Sequence, residues 1–201
     1  MLNGLGPGFI VIFLATLIPS LLGLYGRPQI IDKSLFRPYW LLRRREYATV
    51  ITSGFVHADG PHLFFNLMTF YFFAPGLERR IGTAGFLILY FVALILSHAG
   101  TWWKQRNNPN YASLGASGAI SAVLFASIIY FPTQSLFIIP IPVPIPAPLF
   151  AVGYLAYTWY ASRRQVGRIN HDAHLGGALV GLLYVAAMDP GAYSQLIALV
   201  T

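Results

Sequence analysis

The stretch "NYASLGASGAISAVLFASIIY", residues 110–130, decides how the chain is read, because it sets Gly-Ala-Ser-Gly at the head of a run otherwise fit for the middle of a membrane. In lipid, backbone groups are satisfied inside helices, so a polar side chain within such a run is what needs explaining.

Working outward, the run lies in a charge-free segment from Asn107 to Ser162. A crossing needs about 20 apolar residues, and an ionisable group at the bilayer centre costs at least ~2.5 kcal/mol. The segment is too long for one crossing and suits two, joined by the proline-rich "FPTQSLFIIPIPVPIPAP". Met1 to Gly26, Gly60 to Leu77 and Ile81 to Trp103 also lack charge, and Ala173 to Met188 makes a short last span. The pattern predicts an all-α membrane protein, a six-transmembrane-helix bundle forming one domain over residues 1–201. Arg27 to Asp59 would be a long first loop lying in the membrane interface, and Arg163 to Asp172 a second polar stretch. Composition agrees: 56% of residues are hydrophobic and 9% charged, against about 25% charged in soluble domains.

The first span lacks a basic start and a small-residue cleavage pattern, so it is expected to stay as the first helix rather than leave as a signal. The absence of cysteine removes disulfides and thiolate metal sites. The formal charge of +7 sits in loops, where Lys and Arg meet anionic headgroups; membrane lipids are the expected partners, and nucleic acid is not. Eleven of the thirteen basic residues fall on one side of a six-span chain, and the positive-inside rule would then place both termini outside.

Four polar residues stand out within the spans: His62, Asn66, Ser117 and His174. His62 and Asn66 are four apart and share a helix face. Ser117, between Gly115 and Gly118, follows the turn-forming "NNPNYASL" and so opens a helix. Free N–H groups and the positive end of the helix dipole there favour a developing oxyanion. His174 shares a stripe with Gly177 and Gly181. Read singly, each has a plainer account: hydrogen bonds between helices for His62 and Asn66, and small-residue packing for the glycines and serine. His171, beside Asp172, reads as a loop residue.

Together the four are complementary. Glycine removes the side chains that hold two helices apart, so a serine and a histidine on such faces come within reach as nucleophile and general base. Acyl transfer also needs fixed donors for an oxyanion, which His62, Asn66 and the Ser117 N–H could supply.

At this point the chain resembles the rhomboid family of intramembrane serine proteases. The likeness rests on "GFVHADGPHLFFN" (His-x4-His-x3-Asn), "LERRIG" (Glu-x-Arg-x-Gly), "LGASGA" (Gly-x-Ser-Gly) and "AHLGGALVG" (Ala-His-x-x-Gly-x-x-x-Gly), in order along six spans. It implies a Ser117–His174 dyad, an oxyanion hole from His62, Asn66 and the Ser117 backbone, and no cofactor or metal. His57 would be structural or line a water-filled cavity with His62, Asn66, Ser117 and His174, while Glu78 and Arg80 would tie the second helix to its neighbours. Substrates would be transmembrane proteins, entering beside the fifth helix, roughly Leu149 to Tyr160. The "IPIPVPIPAP" run before that helix cannot continue one; it would cap the gate or form a simple re-entrant turn. The family's usual topology opposes the charge count and puts the active site toward the extracytoplasmic face. A short six-helix form points to a bacterial or archaeal plasma membrane.

The chain also departs from the family pattern. Glu46-Tyr47-Ala48-Thr49 stands where relatives carry Trp-Arg after a Glu, and Ser121 where some carry an aromatic that packs on the histidine. Two other readings compete with the protease: a non-catalytic rhomboid-like protein that binds transmembrane clients, and a small transporter, which would need broken helices near the midplane.

Overall fold

Helix α1 (Pro7–Tyr25) starts on a proline, whose missing N–H costs nothing in a first turn. Phe9, Ile12, Thr16 and Ser20 recur at helical spacing and are buried, while Ile10, Val11, Leu14, Ile18 and Leu21 face outward. The computed structural model of the chain describes residues 4–138, 141–164, 167 and 169–199. Ile139 and Pro140 of the proline-rich run, and part of the Arg163–Asp172 stretch, lie outside the described residues.

Three short helices follow, α2 (Gln29–Ser34), α3 (Pro38–Arg43) and α4 (Thr49–Thr52), the last running into a 3-10 turn at Ser53–Phe55. Arg43 and Arg44 lie over the Tyr39 and Trp40 rings at 3.9 and 3.7 Å. Phe36 is fully buried and its backbone exchanges two 3.0 Å hydrogen bonds with Ser113. The first loop is thereby tied to the segment that leads into Ser117.

Helix α5 (Gly60–Leu96) contains one residue with non-helical backbone, Gly82, at φ +74°, a region open to glycine without a Cβ penalty. Phe70 meets Phe86 and Tyr90 with ring centroids 6.0 and 5.7 Å apart. In a straight helix those pairs would lie about 24 and 30 Å apart, so the chain reverses at Gly82. The two runs expected as separate spans are thus joined back to back with almost no loop. Helix α6 (His98–Gln105) continues the second arm.

Helix α7 (Ser117–Tyr130) is the centre of the molecule, with every residue from Gly118 to Tyr130 buried. It packs between α5 and α9 (His171–Met188), with α8 (Ala147–Arg164) against both α7 and α9 and a short terminal helix, α10 (Tyr193–Ala198), turned back after α9. The described part of the proline-rich run before α8 is not helical, as expected, but it pairs: β1 (Ser135–Ile138) and β2 (Ile141–Pro146) form an antiparallel hairpin. Prolines at 142, 144 and 146 recur with the period of a strand, so their missing N–H groups fall on one edge and the other keeps its donors.

Among the described residues, Pro7–Tyr25 and Gly60–Gln105 are long and apolar enough to cross a membrane, and α9 with Pro190–Ala198, a pair bent by 110°, counts as a third only when the pair is taken as one span. The expected six spans are therefore not six helices of full crossing length. Helix α7 has 14 residues, about 21 Å against a hydrocarbon core of about 30 Å, because it starts inside the molecule rather than at a surface.

Candidate active site

Ser117 is the first residue of α7, and the approach to it is held from several sides. Gly115, at φ +116°, donates its N–H to the Ser53 carbonyl at 2.8 Å. The first closed turn of α7 is Ile120 N–H to Ala116 O at 3.0 Å, which leaves the N–H groups before it, that of Ser117 included, without a helical partner.

His174 comes from the first turn of α9. That helix meets α7 along Gly177 and Gly181: a Cβ on Gly177 would run into the Gly118 carbonyl, and one on Gly181 into that of Ala122. The contact lies one residue past Ser117 and three past His174, so the small-residue stripe carries both side chains to one place. They face the same cavity without a direct hydrogen bond between them; such contacts are often loose until substrate binds.

His62 opens α5, whose N-cap Asp59 accepts the His62 N–H at 2.7 Å. Its ring lies against the Gly115 backbone, where a Cβ would be 2.6 Å from His62 Cε1. Gly115 thus serves both a left-handed turn and the seat of this imidazole. Asn66, one turn on, donates one Nδ2 hydrogen to the His62 carbonyl at 2.9 Å, and its amide has a second hydrogen to offer.

A cavity of about 1340 Å³ is lined by His62, Asn66, Ser117, Ser121, Tyr154 and His174, with Lys104, His171 and Asp172 toward one end. His57, expected to be structural or to line the cavity, is not among the lining residues. It is fully buried, edge-on behind the His62 ring at 4.8 Å, with Nδ1 3.1 Å from Ser20 Oγ of α1. Burial, aided by the neighbouring His62 ring and opposed less strongly by Asn66 and Asp59, holds the His57 imidazole down to about 3. His57 braces His62 from behind as a neutral ring.

Other residues at the site were not singled out from sequence. His171 is no loop residue: it is the first residue of α9, buried, and meets His174 edge-on at 6.1 Å. Lys104 Nζ of α6 reaches Asp172 Oδ1 at 2.6 Å and Ser162 Oγ at 2.7 Å, joining three helices. Tyr154 of α8 stacks on His174. The absence of an aromatic at Ser121 was the one available hint that another element would supply it. Among the described residues no cluster of three or more His, Asp or Glu could hold a metal ion.

Glu78 does what the motif implied: its carboxylate accepts the Gly8 and Phe9 N–H groups, each at 2.8 Å, at the start of α1. Arg80 pairs with Asp189 at 3.3 Å.

Comparison with known proteins gives a match to the Rhomboid domain over residues 44–190. Yeast mitochondrial Rhomboid protein 1 is 28% identical across 84% of this chain and 52% of its own length. The Arabidopsis mitochondrial RHOMBOID-like protein 12 is 29% identical across 72% of this chain and 47% of its own. The Bacillus subtilis protein YdcA, a candidate rhomboid protease by name, is 41% identical over 75 residues, 37% of each chain. The chain thus spans about a third to a half of the length of the curated relatives it matches. Seven relatives, each matched over two thirds or more of this chain, are mitochondrial or chloroplastic, which overturns the expected bacterial or archaeal plasma membrane. That reading rested on the short six-helix form, a feature that belongs to no one compartment.

Proposed function

The chain belongs to the rhomboid family, and from that premise we propose that it is an intramembrane serine endopeptidase that cuts peptide bonds in or near transmembrane segments of membrane proteins. Ser117 Oγ attacks the scissile carbonyl carbon while His174 takes its proton; the C–N bond breaks and the departing amine receives that proton. Water, activated by the same imidazole, then hydrolyses the acyl-enzyme and frees Ser117. His62, the second Asn66 N–H and the Ser117 N–H stabilise the oxyanion. Gly115, Gly118, Gly177 and Gly181 allow the approach, and His57 braces His62. The fold would be a single membrane domain of six crossings: α1, the two arms of α5, α7, α8 and α9. The first loop would lie in the interface, its arginines and aromatics at headgroup level.

The observation that carries this reading is the contact of α7 with α9 at Gly118 and Gly177, which brings Ser117 and His174 to one cavity alongside His62. Its size exceeds the usual small-molecule site of about 300–1,000 Å³ and suits an unwound peptide segment with water. The test is cleavage of a fluorescently labelled transmembrane substrate by purified wild type and Ser117→Ala in liposomes. Cutting by wild type alone supports the protease. If neither cuts and both bind the helix equally, the protein is a client-binding member of the family.

A further inference from the structure

Helix α8 supplies a side chain that touches both helices of the candidate dyad. The Tyr154 ring lies near parallel to the His174 imidazole, with planes 18° apart and centroids at 6.3 Å, within the range of offset-stacked pairs. Its hydroxyl is 3.0 Å from Ser121 Oγ, one turn along α7 from Ser117. Phe125 and Phe150 flank the ring at 5.4 and 5.8 Å.

An imidazole is free to rotate about its terminal torsion, which has broad, roughly two-fold minima. A general base must hold one nitrogen toward the nucleophile, and soluble triads fix it with a carboxylate hydrogen-bonded to the other nitrogen. Among the described residues His174 has no side-chain hydrogen-bond partner; ring faces and edges surround it instead, Tyr154 stacked and His171 edge-on.

We propose that Tyr154 is the positioning residue for His174, its ring limiting rotation of the imidazole and the Ser121 hydroxyl fixing the ring. The proposal rests on the protease reading in so far as the imidazole serves as the base. Tyr154 belongs to α8, not to either dyad helix, so the orientation of His174 depends on α8 being seated against α7. An outward shift of α8 breaks the Ser121 bond and the stack together. A small residue at 121 and an aromatic at 154 then form one unit: Ser121 leaves the space that the incoming ring fills.

The test uses the full chain in detergent micelles, with kcat and KM for a labelled transmembrane substrate and the imidazole NMR signals of its five histidines, His174 being assigned with His174→Gln. Tyr154→Leu is expected to lower kcat by about tenfold or more, as misplaced catalytic groups do, with KM nearly unchanged. Tyr154→Phe and Ser121→Ala, which remove the same hydrogen bond but keep the aromatic ring, are both expected to fall between wild type and Leu. The His174 ring signals should carry an aromatic shift in wild type and Tyr154→Phe that vanishes in Tyr154→Leu. A wild-type kcat in Tyr154→Leu, His174 signals indifferent to that change, or a Phe variant as impaired as Leu would each overturn the proposal. If wild type cuts nothing, the protease reading fails by itself, and the NMR comparison still decides whether Tyr154 holds the ring.

Discussion

Gly177 of α9 lies so close to the Gly118 carbonyl of α7 that no side chain fits between the two backbones. The obstacle to a side chain is main chain, which cannot rotate away as a flexible side chain would. Gly177→Ala should therefore force the helices apart, at the roughly 1–3 kcal/mol typical of overpacking. A lower thermal midpoint, with activity falling further than stability explains, is the expected result. A midpoint equal to wild type would mean that the helices do not meet here.

Ser117→Ala and His174→Ala should each abolish cleavage and labelling by a fluorophosphonate probe, with helical content unchanged. Ser117 is only partly buried, and removing its hydroxyl leaves no large void. Cleavage at the wild-type rate by the serine variant would end the nucleophile assignment.

His62→Ala and Asn66→Ala should lower kcat by about 100-fold or more if each supplies an oxyanion donor, while KM changes little. Asn66→Asp offers a sharper comparison, replacing a donor by an acceptor at nearly the same volume. A loss confined to KM would point to substrate binding instead.

Glu78→Ala should destabilise the protein without touching the chemistry. The carboxylate is buried and accepts two N–H groups of α1; hydrogen bonds to a charged group contribute about 1.5–3 kcal/mol each. Denaturant titration should show the loss, with Glu78→Gln milder because it retains an acceptor. Unchanged stability in Glu78→Ala would rule out this tie as a support of α1.

Acid should weaken the fold through His57. Its folded pKa, about 3, lies below the ordinary 6.5, so between those values the unfolded chain binds a proton that the folded one does not. Stability from this residue is intact above about pH 6.5 and declines as pH falls toward 3, by about 2 kcal/mol at pH 5. Denaturation midpoints at pH 7.5 and 5, compared between wild type and His57→Gln, check this. The variant should lose part of the difference.

Much of the site could be read along the chain because its parts are local. Spacing puts His62 and Asn66 on one helical turn, and the glycines after His174 mark a close-packed face. Which of its two expected places His57 takes could not be read along the chain, because nothing near it in sequence shows what buries it, and Ser20, its partner, is 37 residues away. The same holds for His171, whose burial comes from helices packed around the start of α9.

What the sequence determined by itself was the family, the apolar helical character and the identity of the candidate dyad. These follow from charge-free runs and short motifs, whose meaning is set by periodicity and residue type. Only the tertiary structure decided that Gly82 folds α5 back on itself, that the proline run pairs as a hairpin, and that Tyr154 reaches His174 from a third helix. Each depends on contacts between distant residues: Phe70 on Phe86, β1 on β2, Tyr154 on Ser121 across 33 positions. Linear spacing specifies which face a residue takes on its own helix, but which faces meet is settled by packing the whole chain at once.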